Sequence, residues 1–350
     1  MLFNITYFKK RYNLSQNNVH IISLSCNTVP PPKYGGIELV IANLCEGLGS
    51  LGCNVILYSP GECIIRGVKH VQTLKHPSPP LNQGGSANNI DHLLAIKEQL
   101  VCNYKKGDIL LFNHPEQFRF LKKKLGVRFF IGANFYEIAH WLDVGVYNNV
   151  IYPSKSLYYA IKKRGCFVPH GLKLKFCMQE KRRSDNMFYA GRITPDKGVH
   201  IAVQSAARLG VKLLIAGPNP HTDFSKKILS NPYVEYLGEL NYEELYEYYS
   251  TTKCHIYLSQ YIEPFGLTII EALAAGSPVI TTGKGGTGEI VSHGVNGFYA
   301  DSVDGVVSSY KKIGKLSSHD CSESVRKYSV RRMSKGYLDI FTQTGCDVVK

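Results

Sequence analysis

Two glutamates eight positions apart, Glu263 and Glu271, lie towards the C-terminal end of this 350-residue chain. A Pro-Phe-Gly turn separates Glu263 from a helical pattern that ends at Gly276. The first N–H groups of such a helix are unpaired donors, and its dipole stabilises a nearby anion by about 0.3–1 kcal/mol. Carboxylates beside such a site repel the anion, so their role is to accept hydrogen bonds from hydroxyl groups. Hydrogen-bond donors for a phosphate, next to hydrogen-bond acceptors for hydroxyl groups, are typical of a site for a nucleotide sugar.

A second cluster with phosphate-binding character contains Arg192 and Lys197, five residues apart across a Thr-Pro turn. They follow an apolar strand pattern and precede a helix start. Arginine presents a planar fork to phosphate oxygens and lysine a compact point charge, so both can reach one pyrophosphate. Gly35 and Gly36, between the first strand and the first helix, are expected to present backbone N–H groups to a phosphate as well.

A G-x-G-x-x-G match lies at residues 47–52. A dinucleotide-binding fingerprint must follow a strand and open a helix. This match closes a helical pattern and precedes a strand, so it predicts a helix end and a turn. This match gives no support for an NAD-dependent oxidoreductase, which we disfavour.

The rest of the chain indicates strands alternating with helices. A first strand at residues 19–25 is followed by a turn-rich loop and a helix at residues 37–48. Such alternation implies parallel sheets covered on both faces, with ligands outside the carboxyl ends of the strands. The candidate residues all follow strands, so we expect them to converge on one cleft. Further strands are predicted at residues 54–58, 108–112, 127–132, 150–153, 187–190, 212–216, 233–237, 254–258 and 278–281.

Length and composition favour a two-domain globular protein in the cytoplasm. A chain of 350 residues is long for a single core. No apolar run approaches the ~18–20 residues of a membrane span, and the polar, aromatic start lacks the apolar stretch of a signal peptide. The ten cysteines are scattered without the spacing of a zinc site, so we interpret them as buried thiols in a reducing compartment.

The net charge of +14 is concentrated in the N-terminal half. Residues 1–165 hold 19 Lys and Arg against 9 Asp and Glu, a balance of +10. Basic runs at residues 122–124 and 162–164 directly follow aromatic segments, and this combination docks on anionic bilayers. Solvated helix faces with ordinary core aromatics are the alternative. No nucleic-acid recognition motif accompanies the charge, so nucleic acid is not an expected partner.

Together these motifs resemble the retaining nucleotide-sugar glycosyltransferases of family 4, of the glycosyl transferases group 1, which have the GT-B fold. The resemblance covers about residues 19–345 and is most specific in the C-terminal half. In chain order, the matching stretches are residues 34–38, 168–171, 190–192 with 197–198, 263–266 with 271–272, 285–291 and 294–298.

The resemblance implies a role for each matching residue. Glu263 would accept hydrogen bonds from hydroxyls of the donor sugar, and Glu271 from the ribose. Arg192 and Lys197 would hold the diphosphate leaving group. The remaining contacts would come from Phe265, Gly266 and Leu267 at the sugar or distal phosphate, Gly35 and Gly36 at the same phosphate, Gly238 and Leu240 near the base, and His114 near the sugar. The catalytic residues would be Glu263, Arg192, Lys197 and His114.

One open choice and two departures from the family pattern concern histidines. His140 competes with His114 for the place beside the sugar. Residues 133–135, Ala-Asn-Phe, stand where the family often has a second histidine. Residues 169–171 read Pro-His-Gly where the family has Pro-Asn-Gly.

The expected architecture is an α/β protein of two doubly wound, Rossmann-like domains facing across a cleft. The N-terminal, acceptor-side domain would span residues 1–172 and the nucleotide-sugar domain residues 173–326. A C-terminal helix within residues 327–350 would pack back on the N-terminal domain.

The expected reaction moves a sugar, with retention, from a nucleotide-diphosphate sugar to a hydroxyl of a glycan or lipid-linked acceptor. Its location would be the cytoplasm, with peripheral association to the cytoplasmic membrane face. The sequence has no Asp-x-Asp metal clamp, so no metal and no other cofactor is expected. A nucleotide-sugar epimerase on the same fold and a non-catalytic sugar-nucleotide-binding module remain as alternatives. A phosphorylase would need a cofactor lysine site that the sequence does not provide.

Overall fold

The computed structural model describes residues 17–79, 89–121, 128–132, 149–161, 165–178 and 181–342. The chain divides into two compact units. Unit 1 comprises Met1–Leu172 and Ser329–Lys350, and unit 2 comprises Lys173–Tyr328. Unit 2 is therefore one continuous segment, whereas unit 1 takes residues from both ends of the chain.

The part of unit 1 that precedes Leu172 alternates strands and helices. Its elements are β1 (Asn18–Ile22), α1 (Gly36–Ser50), β2 (Asn54–Ser59), β3 (Val68–Gln72), α2 (Ile90–Asn103), β4 (Ile109–Phe112), α3 (Pro115–Leu121), β5 (Arg128–Gly132), β6 (Val150–Tyr152), α4 (Lys155–Ile161) and β7 (Cys166–Phe167).

Unit 2 repeats this alternation, and the chain then returns to unit 1 with a final helix. The elements of unit 2 are β8 (Met187–Ala190), a 3-10 turn (Pro195–Lys197), α5 (Val199–Leu209), β9 (Leu213–Ala216), α6 (Asp223–Leu229), β10 (Val234–Gly238), α7 (Tyr242–Thr251), β11 (Cys254–Tyr257), α8 (Leu267–Ala274), β12 (Val279–Thr281), α9 (Thr287–Ile290), β13 (Gly297–Tyr299), α10 (Val303–Ile313) and α11 (Ser318–Ser324). The final helix is α12 (Val330–Thr342).

In the described residues each unit forms a parallel sheet. The strand order is β3-β2-β1-β4-β5-β6-β7 in unit 1 and β10-β9-β8-β11-β12-β13 in unit 2. The order reverses between β1 and β4 in unit 1, and between β8 and β11 in unit 2. This confirms the prediction of two doubly wound sheets. In such sheets the reversal point opens a crevice at the carboxyl ends of the strands, where ligands bind.

The central strands were predicted because they are short, continuous apolar runs. All four residues are buried in each of β4, β8 and β11, as expected for strands covered on both faces. The sequence analysis missed β3, β7 and β13, and each of these lies at an edge of its sheet. Edge strands are covered less completely, so their apolar pattern is short or interrupted by polar residues.

The G-x-G-x-x-G match lies at the end of a helix, as predicted, but the helix continues to Ser50. The turn is made at Gly52, whose φ is 86°. Gly47 is inside α1, and a Cβ there would lie 2.0 Å from Ser334 Oγ of α12. The glycine therefore lets α1 and α12 pack closely together.

The stretch at residues 168–171 also packs on α12. The Gly171 N–H donates a hydrogen bond to the Met333 sulfur over 3.2 Å, and Leu172 forms a parallel bridge with Ser329. A Cβ on Gly171 would lie 2.2 Å from the Ser329 carbonyl oxygen. The segment that resembles the family's Pro-Asn-Gly therefore holds the last helix on unit 1.

Candidate functional site

The loops that follow β8 and β11 lie side by side at the reversal point of the unit 2 sheet. The Gln260 N–H donates a hydrogen bond of 2.8 Å to the Asp196 carbonyl oxygen. Gly198 has a φ of 68°, and a Cβ there would lie 2.0 Å from the Leu258 carbonyl oxygen. Because only glycine permits this approach, the backbone itself fixes the distance between the two loops.

Lys197 and Glu263, one from each loop, form a nearly buried ion pair. Lys197 Nζ lies 3.0 Å from Glu263 Oε2, and the two side chains are only 10% and 11% exposed. The Tyr257 hydroxyl lies 2.7 Å from each of these atoms, accepting from the ammonium and donating to the carboxylate. The Tyr261 hydroxyl accepts a further hydrogen bond from Lys197. From the sequence, Lys197 is expected to bind the diphosphate and Glu263 the donor sugar. The structure brings the two side chains together in one hydrogen-bonded cluster.

The glycine-rich loop after β12 fixes the backbone of Glu263. Glu263 forms a parallel bridge with Gly285, and its carbonyl oxygen accepts a hydrogen bond of 2.7 Å from the Gly286 N–H. Gly285 has a φ of 70°, and a Cβ there would lie 2.3 Å from that carbonyl oxygen. A Cβ on Gly286 would lie 2.7 Å from Phe265 Cα. Glycine at both positions therefore lets this loop pack directly against the backbone that carries the Glu263 side chain.

The N-terminus of α8 begins immediately after this supported segment. Gly266 precedes Leu267, the first residue of the helix, with a φ of 112° and without a hydrogen bond from a capping side chain in the described residues. Phe265 is buried and packs edge-on against Tyr328, with 5.3 Å between ring centroids. The structure therefore places Phe265, Gly266 and Leu267 within four residues of Glu263, where an uncapped helix end offers backbone donors.

Glu271 lies on the second turn of α8 and is buried. The Tyr249 hydroxyl donates a hydrogen bond to Glu271 Oε2 over 3.4 Å. Burial raises the pKa of the Glu271 carboxyl to about 7, and the Tyr249 hydrogen bond offsets part of the rise. The carboxyl is therefore partly protonated near neutral pH, and hydroxyl donors from a ligand would favour its ionised form.

Arg192 lies in the loop that follows β8, two residues after the end of the strand. Its carbonyl oxygen accepts a hydrogen bond of 2.6 Å from the Tyr189 hydroxyl, which fixes the loop backbone. Burial raises the pKa of the Tyr261 hydroxyl well above its usual value, Glu263 and Asp196 add to the rise, and Arg192 opposes it. Arg192 therefore acts electrostatically on the cluster that contains Glu263.

Gly238 and Leu240 lie at the same end of the sheet, in the loop after β10. Gly238 has a φ of 76°, and its carbonyl oxygen accepts a hydrogen bond of 2.9 Å from the Gly217 N–H. Leu240 is half-buried and precedes Asn241, which caps α7. One strand, β9, separates this loop from the loop that carries Arg192.

In unit 1, Gly35, Gly36 and His114 flank the reversal point of the other sheet. Gly35 is the N-cap of α1 and Gly36 is its first residue, and His114 follows β4, the neighbour of β1. His114 is buried, and its Nδ1 accepts a hydrogen bond of 3.2 Å from the Glu116 N–H. An acceptor at Nδ1 places the proton of a neutral imidazole on Nε2. His140 and residues 133–135 lie outside the described residues, so the choice between the two histidines stays a prediction.

Tyr257 and Tyr261 are the site residues that the sequence analysis missed. Tyr257 is the last residue of β11, at the reversal point, and Tyr261 stands two positions before Glu263. A hydroxyl-bearing residue at the carboxyl end of a strand, beside a candidate carboxylate, is the signal that identifies such residues in a sequence.

Metal-binding and membrane-spanning features were sought in the described ranges. There, no group of three or more His, Cys, Asp or Glu side chains is arranged to hold a metal ion. None of the helices in the same ranges combines the length and the apolar content that crossing a bilayer requires.

Comparisons with known proteins support the interpretation of unit 2. Residues 177–328 match the family described as Glycosyl transferases group 1. The match ends at the last residue of unit 2 and includes Arg192, Lys197, Glu263 and Glu271. Unit 2 is similar to a glycosyl transferases group 1 domain. Glycosyltransferases are transferases of the EC 2.4 class.

One similar curated protein is the putative glycosyltransferase YtcC of Bacillus subtilis (strain 168). It is 30% identical to this chain over 171 residues, which are 43% of this chain and 40% of YtcC. The matched region therefore spans less than half of that relative.

Solved structures extend the likeness to both units. AviGT4, a glycosyltransferase involved in avilamycin A biosynthesis, has a TM-score of 0.70 and 21% identity, with 93% of this chain and 97% of AviGT4 covered. HepE of Anabaena, in complex with UDP and glucose, has a TM-score of 0.71 and 15% identity, with coverages of 93% and 99%. At these identities the likeness shows the fold alone. The fold is GT-B.

Proposed function

We propose that this protein is a retaining glycosyltransferase of family 4 that uses a nucleotide-diphosphate sugar as donor. The observation that carries the proposal is the Lys197–Glu263 pair at the reversal point of unit 2, followed by the N-terminus of α8 and by Glu271. Cationic and helix-end donors suit a diphosphate, and the two carboxylates suit sugar hydroxyls. The complex of HepE with UDP and glucose is consistent with this class of donor.

The proposed roles follow the chemistry of each group. Arg192 and Lys197 bind the diphosphate and stabilise its charge as it leaves. Glu263 accepts hydrogen bonds from the donor sugar, and Glu271 from the ribose. Supporting contacts come from the backbone of Phe265, Gly266 and Leu267, from Gly238 and Leu240 near the base, from Gly35 and Gly36 at the phosphate, and from His114 near the sugar.

The proposed reaction retains the configuration at the anomeric carbon by a front-face path. The bond from the anomeric carbon to the diphosphate oxygen breaks, and the acceptor hydroxyl oxygen forms the new bond on the same face. The departing phosphate oxygen takes the acceptor's proton, so charge and atoms balance. Glu263 Oε2 already accepts hydrogen bonds from Lys197 and Tyr257, which favours a positioning role over nucleophilic attack.

The acceptor is proposed to be a hydroxyl of a glycan or lipid-linked acceptor at an anionic membrane surface. The basic runs at residues 122–124 and 162–164 lie outside the described residues. Of the aromatic residues before them, Phe118 belongs to the core, whereas Phe120 is 37% and Tyr159 is 63% exposed. The two exposed rings support surface docking, and Phe118 fits the alternative of an ordinary core aromatic.

The proposed function is tested first by donor binding. In a thermal-shift screen against UDP-, GDP-, ADP- and dTDP-sugars, the nucleotide sugars of one base should raise the melting temperature of the protein. A ligand that binds only the folded state has this effect. The selected donor is then incubated with candidate acceptors, and the anomeric configuration of the product is determined by NMR.

The outcomes separate the proposal from its alternatives. A product with the configuration of the donor supports retention, and an inverted product contradicts it. Conversion of the nucleotide sugar into its epimer, without an acceptor, would indicate an epimerase. Donor binding without any turnover would indicate a non-catalytic binding module.

A further inference from the structure

We propose that Tyr261 competes with the donor diphosphate for Lys197, so that nucleotide binding requires the Tyr261 hydroxyl to leave the ammonium. This inference rests on the proposed function, because it takes Lys197 as a phosphate ligand. It adds a residue that sets the affinity for the nucleotide and the rate at which the nucleotide product leaves.

Lys197 has a limited capacity for hydrogen bonds. An ammonium group has three N–H donors and no acceptor. Lys197 Nζ contacts three oxygens, Tyr257 Oη at 2.7 Å, Glu263 Oε2 at 3.0 Å, and the Tyr261 hydroxyl. All three donors are therefore engaged within the chain. A phosphate oxygen can bond to this ammonium only by replacing one of the three.

Two of the three oxygens are costly to displace. Tyr257 and Glu263 are buried and hydrogen-bonded to each other over 2.7 Å. The Glu263 backbone is also held by Gly285 and Gly286. Separating Lys197 from Glu263 would leave a nearly buried carboxylate without its cation, which is strongly unfavourable.

Tyr261 is the partner that can be exchanged. It is half-buried and lies on the loop between β11 and Glu263. When its hydroxyl moves away from Lys197 and Glu263, these two charges remain paired with each other and hydrogen-bonded to Tyr257. Its hydroxyl is neutral, whereas the incoming phosphate oxygen is charged and forms the stronger hydrogen bond. Arg192 acts on the same hydroxyl from the loop after β8, against the larger effects of burial, Glu263 and Asp196.

The exchange has a thermodynamic and a kinetic consequence. Binding of a diphosphate must offset the loss of the Lys197–Tyr261 hydrogen bond, which weakens the affinity of the native protein. Return of Tyr261 to Lys197 correspondingly helps to expel the nucleoside diphosphate after transfer. Removal of the hydroxyl alone should therefore tighten binding and slow product release.

The test compares two Tyr→Phe variants around the same ammonium. Dissociation constants for UDP, GDP, ADP and dTDP are measured by calorimetry, and dissociation rates by stopped flow, for the native protein, Tyr261→Phe and Tyr257→Phe. Tyr261→Phe should bind the preferred diphosphate about three- to tenfold more tightly and release it more slowly. Tyr257→Phe frees an N–H at the buried end of β11, so it should give no tightening.

Unchanged or weaker binding by Tyr261→Phe would overturn the proposal and would make Tyr261 an ordinary ligand contact. Equal tightening in both variants would also overturn it, since any freed N–H would then suffice. A crystal structure of the native protein with the bound diphosphate gives an independent test, and a persisting Lys197–Tyr261 hydrogen bond would contradict the exchange. If neither the native protein nor Tyr261→Phe binds any of the four diphosphates, the proposed function fails together with this inference.

Discussion

The Tyr249 hydroxyl of α7 reaches Glu271 Oε2 of α8 across 3.4 Å, which is long for a hydrogen bond to a carboxylate. A contact of this length compensates only part of the cost of burying the charge. The pKa of Glu271 therefore lies at about 7, and a ligand that donates stronger hydrogen bonds should lower it. The proposed ribose contact of Glu271 would therefore link nucleotide binding to the ionisation of this carboxyl.

Donor affinity should consequently rise between pH 6 and pH 8, by up to about tenfold, as Glu271 becomes ionised. Calorimetry with the nucleotide sugar selected in the screen measures this, because a diphosphate esterified at both ends lacks the phosphate ionisation near pH 6. Glu271→Gln should bind more weakly at pH 8 and show a flat profile. A profile that is equally steep in Glu271→Gln would assign the pH dependence to another group.

Arg192→Ala and Lys197→Ala should each slow transfer by about 10²–10³-fold, because each leaves charge on the departing diphosphate uncompensated. Lys197→Ala should also lower the melting temperature, since it leaves Glu263 nearly buried without its cation. Arg208→Ala is the matched control, because Arg208 is an exposed arginine of α5 that pairs with Asp304. Near-normal turnover in both Arg192→Ala and Lys197→Ala would remove the diphosphate assignment.

Gly285→Ala should reduce turnover much more than Gly294→Ala. The two glycines have similar backbone conformations, with φ of 70° and 78°, so both substitutions introduce similar local strain. An added Cβ would lie 2.3 Å from the Glu263 carbonyl oxygen at Gly285, whereas no atom lies within 4 Å at Gly294. Steady-state kinetics and melting temperatures of both variants isolate the effect on Glu263. Equal losses would show that Gly285 matters only through its own backbone conformation.

Transfer should persist in the presence of EDTA, because Arg192, Lys197 and the N-terminus of α8 are proposed to neutralise the leaving diphosphate. The measurement is initial rate against chelator concentration, with a matched ionic-strength control. Complete loss of activity that Mg²⁺ or Mn²⁺ restores would contradict a metal-independent site.

The protein should co-sediment with anionic vesicles, and not with zwitterionic vesicles, at low salt. Lys and Arg near an anionic surface contribute about 1 kcal/mol each, screened beyond roughly 8–10 Å at physiological salt. Charge reversal of residues 122–124 to Glu should reduce binding, whereas Lys226→Glu and Lys227→Glu on α6 of unit 2 should not. Absence of binding to anionic vesicles at low salt would remove the membrane proposal and leave the donor site unaffected.

The central part of the fold could be predicted from sequence because buried parallel strands are apolar runs between turns. Two pairs of candidate residues could be assigned to one domain, because each pair follows a predicted strand. These pairs are Arg192 with Lys197 and Glu263 with Glu271. The ion pair between Lys197 and Glu263 could not be predicted, since it depends on β8 and β11 being neighbours although α5 to α7 separate them in sequence. The roles of Tyr257 and Tyr261 depend on the same adjacency.

The placement of α12 on unit 1 has a consequence for the order in which the chain matures during synthesis. Residues that pack together there, such as Gly47 and Ser334, are separated by almost the whole chain, whereas unit 2 is one uninterrupted segment. Unit 2 can therefore complete its sheet while unit 1 still waits for its last helix to emerge from the ribosome. Until then the face of α1 around Gly47 is bare, and unit 1 depends for closure on a helix that is synthesised after unit 2.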